Sequence, residues 1–242
     1  MSLREATQAV TARLRPPGAA IPSPHTLKLL SALLDYPREA LWEHHAELLA
    51  ACHDQALPTA ANQRLRAFTE ELLALEPMAA QERWLELFDR GRAMSLLLFE
   101  HIHGESRDRG QAMVDLVETY RRHGFELASR ELPDYLPLVL EFLSSRPHAE
   151  AADWLGHVGH ITSLLAARAA ERHSPYADVL DLLVGAHGGS GDAALREKAR
   201  AEGRDDTAEA MDKVWEEEAV RFGTQAPQDD CTPTHRPHPG RA

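Results

Sequence analysis

An all-α fold is predicted from three observations. Almost every periodic segment repeats its apolar residues at helical spacing, no run alternates apolar and polar residues long enough to make a strand, and alanine and leucine, which favour helices, are abundant. No Asn-Gly or Asp-Gly hairpin signal separates apolar runs. At 242 residues the chain can bury a substantial core.

The elements follow in order. Leu27, Leu30 and Leu34 make a first helical stripe that stops at Asp35-Tyr36-Pro37, because proline disfavours helical geometry in the residue before it. Leu65, Phe68, Leu72 and Leu75 repeat that spacing until Glu76-Pro77. Trp84, Leu85 and Phe88 mark a third helix. Met113, Leu116, Val117 and Tyr120 form the next, with Ser106 expected as its N-cap and Gly124 as its stop. Leu136, Val139, Leu140 and Leu143 follow Pro133, and Trp154, Val158, Ile161 and Leu165 give the cleanest stripe of all. Tyr176, Val179, Leu180 and Leu183 supply the last helix the periodicity signals.

The expected organisation is a flexible N-terminal extension over 1–24, one helical domain over 25–223 and a disordered tail over 224–242. The extension carries Pro16-Pro17-Gly18 and Pro22-Ser23-Pro24, and the tail is rich in proline, histidine and threonine. Gly185 to Gly191 is a glycine-rich breaker and a candidate hinge. Residues Asp192–Asp230 hold twelve acidic and six basic residues and read as lying outside the core.

Lys plus Arg is 26 against 38 Asp plus Glu, a net charge of −12. That balance argues against nucleic acid, which needs a basic face to displace counterions, and against an anionic membrane surface. Two cysteines far apart, Cys52 and Cys231, make no disulfide framework and permit a reducing compartment. The N-terminus lacks the apolar stretch of a signal peptide, and the longest apolar runs, such as Leu96 to Phe99, are too short to span a bilayer. The expected address is the cytoplasm.

The densest polar cluster runs from Phe99 to Gly110, across a helix–helix junction, and four readings stand side by side. Glu100 and His103 form a Glu-x-x-His pair on one helical face, as in di-iron bundles, with His157 and His160 as further ligands; no second Glu-x-x-His exists in the chain. Glu100, Glu105, Asp108 and His103 could serve acid–base catalysis, although Gly-x-Ser-x-Gly, a P-loop and a kinase glycine loop are absent. Arg107 and Arg109 could simply pair with the carboxylates and brace a tight corner. Finally, the acidic and aromatic groups could receive a basic amphipathic peptide, steered in by the net charge. Cys231, His235 and His238 have a metal-like spacing but lie among tail prolines, where a closed site lacks its fourth ligand.

The run from Phe88 to Gly91, the run from Ser95 to Met113, Glu131-Leu132-Pro133-Asp134-Tyr135-Leu136-Pro137 and Leu140-Glu141-Phe142-Leu143 together resemble the NarJ-type chaperones of respiratory nitrate reductase, a branch of the TorD/DmsD-like redox-enzyme maturation proteins. Leu34-Asp35-Tyr36-Pro37, Trp215-Glu216-Glu217 and Val220 to Gly223 extend the similarity over roughly residues 25–223. The resemblance implies a non-enzymatic, all-helical cytoplasmic chaperone without a cofactor or metal of its own. It would bind the N-terminal peptide of the nitrate reductase α-subunit apoprotein, keep it competent to receive the molybdenum cofactor, and delay membrane docking until maturation is complete. It would not insert into the membrane, bind nucleic acid or remain in the mature complex. On this reading Leu97, Leu98, Phe99 and Tyr135 line a groove for a short peptide helix, Glu100, Glu105, Asp108 and Asp134 stand at its rim, His103 lies beside them, and Arg107 and Arg109 brace the corner. The competing function is a helical metal-dependent enzyme using Glu100, His103 and His157. The wider TorD-like branch carries a Glu-Pro-x-Asp-His type of loop where this chain has Glu131 to Tyr135, so nucleotide binding does not transfer.

Overall fold

A computed structural model describes residues 21–54, 57–103, 106–127, 131–186 and 193–213. Most of the expected extension, nearly all of the Gly185–Gly191 breaker and the whole 224–242 tail lie outside these residues. The chain divides into two compact units, Met1–Asp205 and Asp206–Ala242. Within the second, a helix over 208–213 is capped by Thr207, whose hydroxyl accepts from the Ala210 amide at 3.2 Å.

The regular secondary structure of the first unit's described residues is helical. Its elements are α1 (Pro24–Leu34), α2 (Ala40–Glu43), α3 (His45–Ala51), α4 (Thr59–Leu73), α5 (Pro77–Phe88), a 3-10 turn (Arg92–Met94), α6 (Leu98–His103), α7 (Asp108–Arg122), α8 (Leu136–Ser144), α9 (His148–Glu171), α10 (Tyr176–Ala186) and α11 (Ala193–Glu202). Among the described residues the extended pairing is an isolated antiparallel bridge, Leu97 to Tyr135. No described helix is long and apolar enough to cross a membrane.

Helix α1 begins where the sequence chemistry places it. Ser23 sits in extended geometry and accepts from the Thr26 amide, while Pro24 takes the first turn, where a missing N–H leaves nothing unpaired. The buried Asp54 carboxylate accepts from both the Ser23 amide (2.6 Å) and the Thr26 hydroxyl (2.7 Å), tying this start to the loop before α4. The core reaches back to Ile21, inside the stretch read as linker. Leu27, Leu30, Leu33 and Leu34 are fully buried and pack against α8, whose Leu136, Val139, Leu140, Phe142 and Leu143 are equally enclosed. The Ser31 hydroxyl donates to the Pro137 carbonyl at 2.7 Å and fixes that pair.

Helix α9 carries the expected stripe inward at Val158, Ile161 and Leu165, with Trp154 half-buried, and packs on α8, α10 and α11. Helix α11 corrects the sequence reading: Ala193–Glu202 belongs to the first unit and lies on α9, although its segment was expected to stand outside the core. A run of edge-on rings, Tyr36, Trp84, Phe88, Tyr176 and Phe68, joins α5, α10 and α4 at centroid separations of 4.9–5.5 Å. Within it the Tyr176 hydroxyl is buried and has no hydrogen-bond partner among the described residues. Replacing Tyr176 with Phe removes an unpaired polar atom and keeps the ring. Urea unfolding is expected to show stability unchanged or raised by up to about 1 kcal/mol.

Helix α7 ends as Gly124 foretold. Gly124 has φ +70°, its amide donates to Arg121, and the Phe125 amide donates to the Tyr120 carbonyl. This double closure satisfies the last carbonyls, and the Phe125 ring packs on Tyr120 at 5.5 Å. The expected Ser106 cap is corrected: α7 starts at Asp108, and Arg107 occupies the cap position with no side-chain cap bond.

Candidate functional site

The junction between α6 and α7 is built around Asp134. The extended stretch before α6 pairs with the stretch before α8: the Leu136 amide donates to the Leu96 carbonyl (2.8 Å) and the Leu98 amide to the Asp134 carbonyl (3.0 Å). The Asp134 carboxylate then accepts from the Phe99 amide at 2.9 Å. One residue thus supplies two acceptors to the first turn of α6, a cap delivered from 35 positions away. Asp134 was expected at an exposed rim, but it has no exposed surface, because a cap that closes a buried helix start is itself buried.

Burial raises the Asp134 carboxyl above the usual carboxylate range, opposed by the Phe99 amide and by Arg109. Its second oxygen has no partner among the described residues. The folded protein therefore retains this proton at pH values where the unfolded chain has lost it. The group's contribution is full below the ordinary carboxylate pKa and is lost as pH rises through the raised one. Replacing Asp134 with Asn keeps an acceptor for Phe99 without the desolvated charge. Its stability relative to the wild type should climb as pH rises across that window in denaturant titrations. Asp134→Ala removes the acceptor and should cost about 1–2 kcal/mol.

The apolar residues of the motif also turn inward. Leu98 and Tyr135 are buried, Leu97 and Phe99 pack against the core with part of their surface showing, and the Tyr135 hydroxyl donates to Asp35 at 2.9 Å. Leu98 and Tyr135, expected as groove lining, are enclosed by the core in the free protein. A helix of six residues gives too little periodicity to tell which side faces solvent. Burial pushes the His101 imidazole below its ordinary pKa, and its Nε2 lies 2.8 Å from the Ser95 carbonyl. A carbonyl only accepts, so Nε2 carries the proton.

Of the expected corner braces, Arg109 pairs with Glu100 at 3.4 Å, both half-buried. Arg107 is exposed, as is Asp108, whose charge suits the first turn of α7. His103 is half-buried with its ring edge-on to Phe99 at 5.6 Å. Glu105 lies outside the described residues. Among the described residues no three His, Cys, Asp or Glu side chains are placed to hold a metal ion, so Glu100, His103 and His157 do not form the ligand set of the enzyme alternative. Glu100 is engaged by Arg109, and His157 projects from α9 with its Nε2 buried.

The open apolar surface lies one helix further on. Met113, Val114 and Val117 of α7 face Leu132 and Pro133 across a groove of about 330 Å³, with Glu118 and Arg121 beside it. Val114 is 61% exposed and Leu132 43%, unusual for aliphatic side chains that adjoin each other. The stripe on α7 is wider than one buried face: Ala112, Leu116 and Tyr120 point to the core, while Met113 and Val117, members of the same sequence stripe, flank the groove. Beneath it the Tyr120 hydroxyl donates to the Pro133 carbonyl at 2.7 Å and holds the far wall in place. Burial, with the nearby Asp134 charge, raises the Tyr120 pKa far above its ordinary value, so the hydroxyl keeps its proton and remains a donor.

Residues 54–181, which include this whole junction and groove, match the family model described as the nitrate reductase delta subunit. The chain belongs to this family. It is 50% identical over 198 residues to the nitrate reductase molybdenum cofactor assembly chaperone NarJ of Escherichia coli K12, covering 81% of this chain and 84% of that one. It is 45% identical over 197 residues to the probable assembly chaperone NarW of the same organism, covering 81% and 83%. To the probable NarJ of Bacillus subtilis it is 31% identical over 161 residues, covering 66% and 87%. The resemblance seen in the Phe88–Leu143 motifs is therefore a family relationship, and as a member of the NarJ-type assembly chaperones the chain is a chaperone and not an enzyme.

Proposed function

We propose that this chaperone binds the N-terminal segment of a nitrate reductase α-subunit apoprotein, holds it in a state that can receive the molybdenum cofactor, and delays membrane docking until insertion is complete. The observation that carries this reading is the groove between α7 and Leu132–Pro133, an exposed apolar surface on a family fold whose relatives are named for this assembly. A short amphipathic helix would lay its apolar side against Val114, Val117 and Leu132. Glu118 stands at the groove, and Glu100 and Asp108 lie on the adjoining junction, where they would face the peptide's basic residues. The net charge of −12 would raise the encounter rate with such a peptide. The cofactor itself need not touch this chain: its insertion depends on the conformation in which the apoprotein is held.

Calorimetric titration with a synthetic α-subunit N-terminal peptide, against a scrambled peptide of equal charge, tests the proposal. Saturable binding at micromolar affinity or tighter, about −8 kcal/mol or better, with the scramble silent, is expected. Silence from both peptides would move recognition to the folded apoprotein and end the peptide reading.

A further inference from the structure

The segment that follows α11 reaches back to the start of the candidate site. Asp205 accepts from the Ala93 amide through Oδ2 at 2.7 Å, across 112 positions of sequence, and pairs through Oδ1 with Arg172 Nη2 at 3.0 Å. Arg168 completes the clasp: Nη1 donates to the Ala93 carbonyl at 2.6 Å and Nη2 pairs with Glu202 at 2.5 Å. Both arginines rise from the C-terminal end of α9 with side chains 12% and 5% exposed, so their carboxylate partners are not interchangeable with water.

The geometry at Gly91 shows how closely this carboxylate is seated. A Cβ at Gly91 would lie 2.7 Å from Cγ and both oxygens of Asp205, although φ there is −139° and any residue could adopt it. Glycine is required by proximity and not by backbone conformation. Both backbone polar groups of Ala93, at the centre of the 3-10 turn, are held by side chains of this clasp. The turn runs directly into Ser95–Leu98, whose carbonyl at Ser95 receives His101 and whose Leu96 and Leu98 pair with the Asp134–Leu136 wall. That wall continues Leu132–Pro133 of the groove.

We infer that Asp205 is a positioning residue for the docking face: it fixes the Gly91–Met94 turn, and the turn sets the register in which Ser95–Leu98 braces the Leu132–Leu136 wall. Asp205 itself touches no peptide. The docking part of this inference rests on the reading proposed above, whereas the positioning part does not.

The test uses the full chain and three variants, Asp205→Asn, Gly91→Ala and Arg200→Ala. Arg200 pairs with Glu171 at 2.9 Å on the exposed side of α11 and makes no contact with the turn, so it reports on α11 docking alone. Amide hydrogen exchange and peptide titration are read under conditions where urea curves show each variant folded. Asp205→Asn and Gly91→Ala should each speed exchange at residues 92–98 and 134–136 by at least about tenfold and weaken peptide affinity about three- to tenfold. Arg200→Ala should leave both unchanged. Should Asp205→Asn not fold, Gly91→Ala carries the test, since it displaces the carboxylate without deleting it. Unchanged exchange in the first two variants, equal opening in Arg200→Ala, or opening with full peptide affinity each overturns the inference. If the wild type binds no peptide, the docking reading falls by that result, and the exchange pattern still decides whether Asp205 positions the turn.

Discussion

Replacing Val114 and Leu132 together with serine is expected to weaken binding of the α-subunit peptide by about ten- to hundredfold while leaving the fold intact. About half of each side chain is exposed in the free protein, and that apolar surface becomes buried only when a partner covers it. Fully burying an aliphatic side chain of this size contributes about 1.5–3 kcal/mol, so covering the exposed half of each contributes about 0.7–1.5 kcal/mol, and about 1.4 kcal/mol is a tenfold change in affinity. Either single variant should therefore lose about three- to tenfold, and the pair the product, provided both contact the same peptide helix. Stability should fall by no more than about 1–2 kcal/mol, because neither side chain belongs to the buried core and valine and serine have similar helix propensity. Serine is the informative choice: an aspartate would also add an attraction for a basic peptide and blur the loss. The same titration at raised salt should weaken wild-type binding through screening of the surrounding carboxylates. A double variant that binds like the wild type would remove the groove from the mechanism, even if the peptide itself binds.

The contrast between these residues and those the sequence nominated shows what periodicity can and cannot convey. Leu27, Leu30 and Leu34, or Val158, Ile161 and Leu165, declare a helix and its buried side together, because a long helix with one apolar face has one low-energy orientation. Gly124 declares its stop through a backbone geometry that glycine adopts freely. Leu97 to Phe99 gave no such information: they lead into a helix of six residues whose orientation is fixed by Asp134, a residue distant in sequence. Met113 and Val117 share one helical stripe with Leu116 and Tyr120, and only the position of Leu132 across the gap distinguishes a groove from a core face. Helix α11 escaped notice for the opposite reason. Its sequence is mostly alanine and charge, and it is fastened by Arg168 and Arg172 on and beside α9 and by its own Arg200 to Glu171, pairs that no local pattern announces. The family motif was legible because it is a run of specific residues. Which of them face solvent was not, because that is a property of tertiary packing.

The largest loss of stability should come from Phe142→Ala, about 3–5 kcal/mol by urea unfolding. The ring is fully buried at the centre of four others, with centroids at 4.7 Å for Tyr120, 5.6 Å for Phe125, 5.7 Å for His123 and 5.9 Å for Trp154. It also carries the Arg146 guanidinium over its face at 5.1 Å. Truncation leaves a cavity that four rings from two separate segments cannot close together, since the Phe125–Tyr120 closure of α7 and the α8–α9 turn hold them apart. A domain of ordinary stability has about 5–15 kcal/mol in total, so the variant should sit close to unfolding at physiological temperature. Phe142→Leu keeps most of the volume and should lose much less, about 1–1.5 kcal/mol. The functional consequence follows from Tyr120. Its ring packs on Phe142 while its hydroxyl holds Pro133, so a shift of the ring into the cavity moves the far wall of the groove. In cold buffer, where Phe142→Ala remains folded, peptide affinity should therefore fall although no groove residue has changed. Undiminished affinity there would mean that the Tyr120–Pro133 bond anchors the wall without help from the ring cluster. A stability loss below about 1 kcal/mol would mean that the cluster closes over the cavity after all.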